Sequence, residues 1–207
     1  MPIVPHLTYL SFREYVLGRY YDLDGSWGAQ CWDGVQLLYT QEDVGQYLYT
    51  ARNIDPSQRG YVKTCWSNPT CRQRNGSGHF TQVPNLNDVR RGDIIVLNTL
   101  SGWYGSTGHI AFADEDYNGG ANITMLGQNQ GQGSNPYTGK AFSIWTGNIR
   151  DAFLGAFRYS VWGGQTPTPQ PEPENVYNRS RYNFVLFNRR KRQEKWTKNL
   201  SSRKSKS

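Results

Sequence analysis

Cysteine, methionine and histidine are all scarce in this sequence: 3, 2 and 3 residues in 207. Three cysteines, Cys31, Cys65 and Cys71, cannot form an even disulfide framework, which excludes a small scaffold stapled by bridges. A Cys65–Cys71 bridge across a short loop and two free thiols both stay open. No apolar run approaches the ~18 residues that a membrane span needs. Arg13 and Glu14 fall where a signal peptide would be apolar, so the expectation is a cytoplasmic protein with no secretion signal and no membrane partner. Apolar residues are also few, at 36%, yet aromatics reach 14%, with 7 Trp and 14 Tyr. Disordered chains are poor in aromatics, so this one is expected to fold. Most of those rings build a core; some, beside many Gly, Asn and Gln, are expected to line a polar groove.

A net charge of +7 invites a nucleic-acid reading until it is located. Residues 176–207 hold 11 of the 23 Lys and Arg but one acid, Glu194, leaving residues 1–175 with 12 bases against 15 acids. Basicity belongs to the tail, and the main body has no bulk attraction for nucleic acid. The segment Gly163 to Glu174, GGQTPTPQPEPE, has four prolines at alternating positions and reads as an extended spacer. The boundaries that follow are 1–162 for a folded domain, 163–175 for a Pro-rich linker and 176–207 for the tail.

Within the folded domain the pattern changes from helices to strands. Ser11-Phe-Arg-Glu14 has the spacing of a capping box and predicts a helix toward Leu17. Further helices are predicted over Cys31–Tyr39 and about Thr40–Ala51, while 52–92 is turn-rich with no assigned element. Asp93–Asn98, Gly108–Ala113, Asn122–Leu126, Ala141–Trp145 and Leu154–Trp162 are apolar runs between Gly, Asn and Asp turns, and predict strands. Helices first and antiparallel strands afterwards predict an α+β domain.

The chemistry concentrates in Tyr21-Asp-Leu-Asp-Gly-Ser-Trp-Gly-Ala-Gln-Cys-Trp-Asp33. A cysteine at the first turn of a helix meets unpaired N–H groups and the positive end of the macrodipole, which favour thiolate. Taken alone, a free Cys is more often buried and inert; the Gly-rich loop and Gln30 ahead of Cys31 favour a nucleophile. Three histidines are available as its base. His6 lies at the terminus and His79 in a Gly/Ser loop, whereas His109 begins an apolar strand that can hold the ring against a helix end. A third group should orient the imidazole, and Gln128 and Asn129 end the next strand; Asn129 is the choice, Gln128 the competitor. Asp22, Asp24 and Asp33 can converge as hard oxygen ligands of the kind that suit Ca²⁺, or can simply form turns and cap the helix. Trp103, Tyr104 and Trp145 are groove walls or core residues.

These blocks, D-x-D-G-x-x-G-x-Q-C-x-D, then a strand-borne G-H, then a strand ending Q-N, resemble the CHAP family of peptidoglycan amidohydrolases, over about Tyr9 to Trp162. The resemblance implies a papain-like α+β fold and the work of a phage endolysin. It implies Cys31 as nucleophile, His109 as base and acid, and Asn129 as the group orienting His109. Gln30 and the Cys31 backbone N–H would form an oxyanion hole. Calcium would bind Asp22, Asp24 and Asp33 with carbonyls of Ser26 and Gly28, and no organic cofactor is implied. Relatives often carry an acid two residues before the Asn; this chain has Gly127 there, so a Cys–His–Asn triad is expected, with Glu115 or Asp116 as distant substitutes.

The implied substrate is an amide bond of Gram-positive peptidoglycan, either N-acetylmuramoyl–L-alanine or a peptide bond of the stem or cross-bridge. The basic tail would meet anionic wall polymers. Such an enzyme would wait in the host cytoplasm and act on the wall at lysis. The alternatives are a virion-borne lytic enzyme used in entry, a non-catalytic wall- or polyanion-binding module, and a nucleic-acid binder using Arg189–Arg192 with Trp196. The last two leave the Cys, His and amide blocks unused.

Overall fold

The computed structural model describes residues 8–23, 25–38, 48–55, 61–77, 80–99, 106–131, 133–135 and 137–163. Residues 1–7 with His6, Asp24, His79, Trp103, Tyr104, most of the linker and the whole tail lie outside the described residues. Five short helices come first: α1 Tyr9–Val16, α2 Cys31–Gln36, α3 Ala51–Ile54, α4 Thr64–Ser67 and α5 Pro69–Asn75. Six strands follow, β1 Phe80–Val83, β2 Ile94–Leu97, β3 His109–Ala113, β4 Ile123–Gly127, β5 Ser143–Gly147 and β6 Phe153–Tyr159, before the closing turn α6 Ser160–Gly163. They form one antiparallel sheet in the order β1-β6-β2-β3-β4-β5. The domain is therefore α+β, as expected. Among the described residues no helix is long and apolar enough to cross a membrane.

The central strand β2 shows why the sheet forms where it does. Its residues Ile94 to Leu97 are all buried, because both faces of the sheet are covered. Ile94 and Val96 join a helix-side core with Phe12, Val35, Leu38, Ile110, Phe112 and Phe157. Ile95 and Leu97 join a second core with Ala111, Met125, Ile149 and Ala156. A continuous apolar run, rather than an alternating one, is the signature of such a doubly covered strand. On the helix side, the fully buried Phe12 ring lies 5.0 Å from that of Phe112, edge to face. Losing a ring so placed costs about 3–5 kcal/mol, so α1 is held by its buried face more than by its eight residues of propensity. Arg13 adds an ion pair to Asp114 at 2.7 Å, beyond the end of β3.

Several boundaries differ from the sequence expectation. The cap of α1 is Thr8, whose hydroxyl accepts from the Ser11 amide, so Ser11 sits at the third helical position rather than opening the helix. The packing of Tyr9 and Phe12 extends the helix backwards by a turn. Of the helix predicted from Thr40 to Ala51, residues 39–47 lie outside the described residues; Leu48–Thr50 is not helical, and α3 begins only at Ala51. The unassigned stretch 52–92 contains α4, α5 and β1. These are too short to show a period, and α5 is set by Asn68, whose side chain caps the Thr70 and Cys71 amides ahead of Pro69. Cys65 and Cys71 are buried free thiols. The last strand stops at Tyr159, and Trp162 folds back on a helical turn to pack against Tyr9 and Phe12.

Candidate active site

Leu23 and Gln30, on the way into α2, both bind a single carboxylate. Asp33, at the third position of α2 and only 2% exposed, accepts the Leu23 amide on one oxygen (3.0 Å) and the Gln30 amide on the other (2.9 Å). A carboxylate near a helix start that binds back to the residue preceding the helix satisfies otherwise unpaired donors and fixes where the helix begins. It therefore places Cys31 at the first position of α2. Gly28 has φ +67°, and a Cβ there would lie 2.1 Å from the Thr138 carbonyl oxygen, so only glycine lets this loop close on 138–140.

Three consecutive amides after β4 lock the arrangement. Gln128 is fully buried; its Nε2 donates to the Tyr21 and Gln30 carbonyls (3.0 and 2.9 Å), and its Oε1 accepts the Tyr21 amide. Asn129, in a left-handed conformation with φ +51°, donates to Gln30 Oε1 (2.6 Å) and to the Asn135 carbonyl, and accepts the Asn135 amide. Gln130 turns back under the sheet, donating to the Met125 and Ser143 carbonyls (3.1 and 2.6 Å).

The helix α2 packs against β3, and the Cys31 sulfur lies at the residue that follows His109. The half-buried Cys31 packs on the helix-side core, and its sulfur is favoured as thiolate by the backbone amide of Ile110, the residue after His109. Burial nevertheless dominates and, with Asp33 nearby, pushes the thiol up to about 11. This overturns the expectation of a resting thiolate: α2 is only six residues long, and desolvation outweighs its dipole. His109 is 5% exposed, and burial lowers it to about 4, with the Gln130 side chain acting in the opposite sense. The resting pair is a neutral thiol and a neutral imidazole.

Other expected site residues divide as follows. Asn129, the choice for orienting His109, is directed toward Gln30 and Asn135, because its left-handed backbone turns the side chain toward the loop; the Gln130 side chain favours the charged form of His109. Gln128 is bonded to Tyr21 and to the Gln30 carbonyl. Gln30, expected at the oxyanion hole, donates its side-chain amide to the Trp27 and Asn135 carbonyls. Trp145 is half-buried against the second core and lies over Gly131 and Gly147. Of the calcium set, Asp33 is engaged by two amides, Asp22 is exposed, and Ser26 and Gly28 lie in the chain between Leu23 and Gln30. Among the described residues no three acidic, His or Cys side chains gather in a metal-binding group. Gln130 escaped the sequence reading; the one signal available was the run Gln128-Asn129-Gln130 itself.

No family model matches the chain. Over 130 residues it is 31% identical to the D-alanyl-L-alanine endopeptidase of Streptococcus phage B30, a stretch that is 63% of this chain and 26% of that protein. The chain thus spans about a quarter of the length of this curated relative. Among solved structures, the crystal structure of the wild-type endolysin LysIME-EF1 matches with a TM-score of 0.51 and 19% identity, over 73% of this chain and 62% of that one. At that identity the likeness is one of fold: the α+β domain described above is similar to a domain architecture found in an endolysin.

Proposed function

We propose that this protein is a peptidoglycan hydrolase of the phage-endolysin kind, with Cys31 as nucleophile and His109 as general base and acid. The observation that carries the reading is the meeting of the first turn of α2 with the first residues of β3, which sets the Cys31 sulfur at the amide that follows His109. The similarity to a phage endopeptidase and the fold shared with an endolysin point to the same substrate.

The chemistry follows from the neutral resting pair. His109 takes the thiol proton as Cys31 Sγ adds to the amide carbonyl, and the Cys31 backbone N–H faces the oxygen that becomes negative. Collapse breaks the C–N bond, and the same imidazole returns the proton to the leaving amine. Water, deprotonated by His109, then opens the thioester and frees the thiol. A stem or cross-bridge peptide bond is the preferred target, since the curated relative is named for a D-alanyl-L-alanine endopeptidase; the muramoyl–alanine amide is the alternative. The test is digestion of purified Gram-positive walls followed by mass spectrometry of the fragments. New peptide amino termini paired with new peptide carboxyl termini are expected; free L-alanine amino termini paired with lactyl carboxylates would assign the amidase reaction, and intact walls would end the proposal.

A structural calcium ion is a separate part of the proposal, with Asp22, Asp24 and Asp33 as carboxylate ligands and carbonyls of Ser26 and Gly28 as neutral ones. No catalytic step is assigned to it. Excess chelator is expected to lower the melting temperature by several degrees and Ca²⁺, rather than Mg²⁺, to restore it, since a loop of mixed carboxylate and carbonyl oxygens suits the larger ion. Unchanged melting in chelator, with no calcium in the purified protein, overturns this part. The basic tail, proposed to attract anionic wall polymers, lies outside the described residues, and its role rests on charge alone.

A further inference from the structure

Position 127 lies tightly packed beside the histidine strand. A Cβ built on Gly127 would stand 3.0 Å from the Ala111 Cβ and 2.9 Å from Gln130 Oε1, so the carboxamide of Gln130 fills the space that a side chain at 127 would take. Ala111 is two residues beyond His109 on β3, and residues two apart in a strand share a face. Gln130 is 3% exposed, and its Nε2 spends both protons on the Met125 and Ser143 carbonyls. That fixes which way the amide lies, because the flipped form would press Oε1 against two carbonyl oxygens. Oε1 is left buried with no hydrogen-bond donor among the described residues, and this side chain favours the charged form of the His109 imidazole.

We propose that Gln130 is the positioning residue of His109, its side-chain oxygen lying beside Gly127 as the acceptor that orients the imidazole. A neutral acceptor holds the ring without the strong rise in basicity that a carboxylate would bring, which agrees with a pair that rests uncharged. The inference rests on the hydrolase reading only in naming His109 as the base.

Three full-length variants test it. Gln130→Met removes the oxygen and keeps the bulk; Gly127→Ala keeps Gln130 but drives its oxygen off; Gly127→Glu with Gln130→Ala sets a carboxylate in the same space. Imidazole NMR titration of His109, melting temperature, and kcat and KM on solubilised Gram-positive peptidoglycan fragments are read for each. Gln130→Met and Gly127→Ala are expected to lower kcat about tenfold or more with KM nearly unchanged. Both should alter the His109 tautomer signals. The double variant is expected to recover kcat and to raise the imidazole pKa by about one unit or more. His109 signals that ignore all three changes, or losses of kcat that merely follow melting temperature, overturn the inference. A wild-type protein inert on walls, whose His109 signals still answer to these variants, would sink the hydrolase reading and uphold the pairing.

Discussion

Cys31→Ser protein is expected to lose wall lysis by roughly three orders of magnitude or more, and His109→Ala by a comparable factor, while Cys71→Ala keeps most of it. The three thiols differ in what surrounds them. Cys71 is buried on α5 and Cys65 on α4, whereas Cys31 opens a helix whose start is fixed by Asp33 and whose sulfur meets the Ile110 amide. Cys31→Ser and His109→Ala act as one unit, so the double variant should be little worse than either single one. A second signature follows from the buried thiol. With Cys31 near 11, alkylation by iodoacetamide in the absence of substrate should be slow at neutral pH and accelerate only in alkaline solution. Turbidity clearing of purified walls, with alkylation followed by intact mass, checks both. Substantial lysis by Cys31→Ser would remove the mechanism, and fast alkylation at pH 7 would restore the resting thiolate that the helix start alone suggests.

Acid should destabilise this domain through His109 well before most carboxylates are protonated. The imidazole titrates near 6.5 when exposed and near 4 in the folded protein, because burial disfavours its charged form. Between these values the unfolded chain binds a proton that the folded one refuses, so stability is full above about pH 6.5 and falls as pH drops toward 4. The whole window is worth about 3 kcal/mol, or roughly 10 °C in melting temperature for a domain of this size. Melting curves of wild-type and His109→Gln proteins from pH 7 to pH 4 isolate the effect, since the glutamine cannot titrate. The variant should show the shallower slope, whatever its absolute stability. Equal slopes would mean that the folded imidazole is not held neutral.

What the sequence determined by itself is the part of the molecule governed by local rules. Apolar runs between Gly and Asn turns placed five of the six strands among the described residues, and Ile94–Leu97, buried on both faces, is apolar throughout. The Asp-rich loop, the helix start at Cys31 and the strand start at His109 were legible for the same reason: a cap, a turn and a buried run each depend on a few neighbouring residues. The elements missed, α4, α5 and β1, are four to seven residues long and gain their order from partners far along the chain, such as Trp66 against Phe157 and Phe80 against Tyr159. Only the tertiary structure decided the ionisation of the site and the partners of its amides. A helix dipole can be read from sequence, but the desolvation that reverses its effect on Cys31 depends on what packs around the sulfur. The amides 128–130 are adjacent in sequence, yet with a left-handed turn at Asn129 Gln128 bonds the Tyr21 and Gln30 backbone, Asn129 the Gln30 side chain, and Gln130 the Met125 and Ser143 carbonyls. That division follows from backbone direction and from which carbonyls lie within reach, and both exist only once the strands are paired.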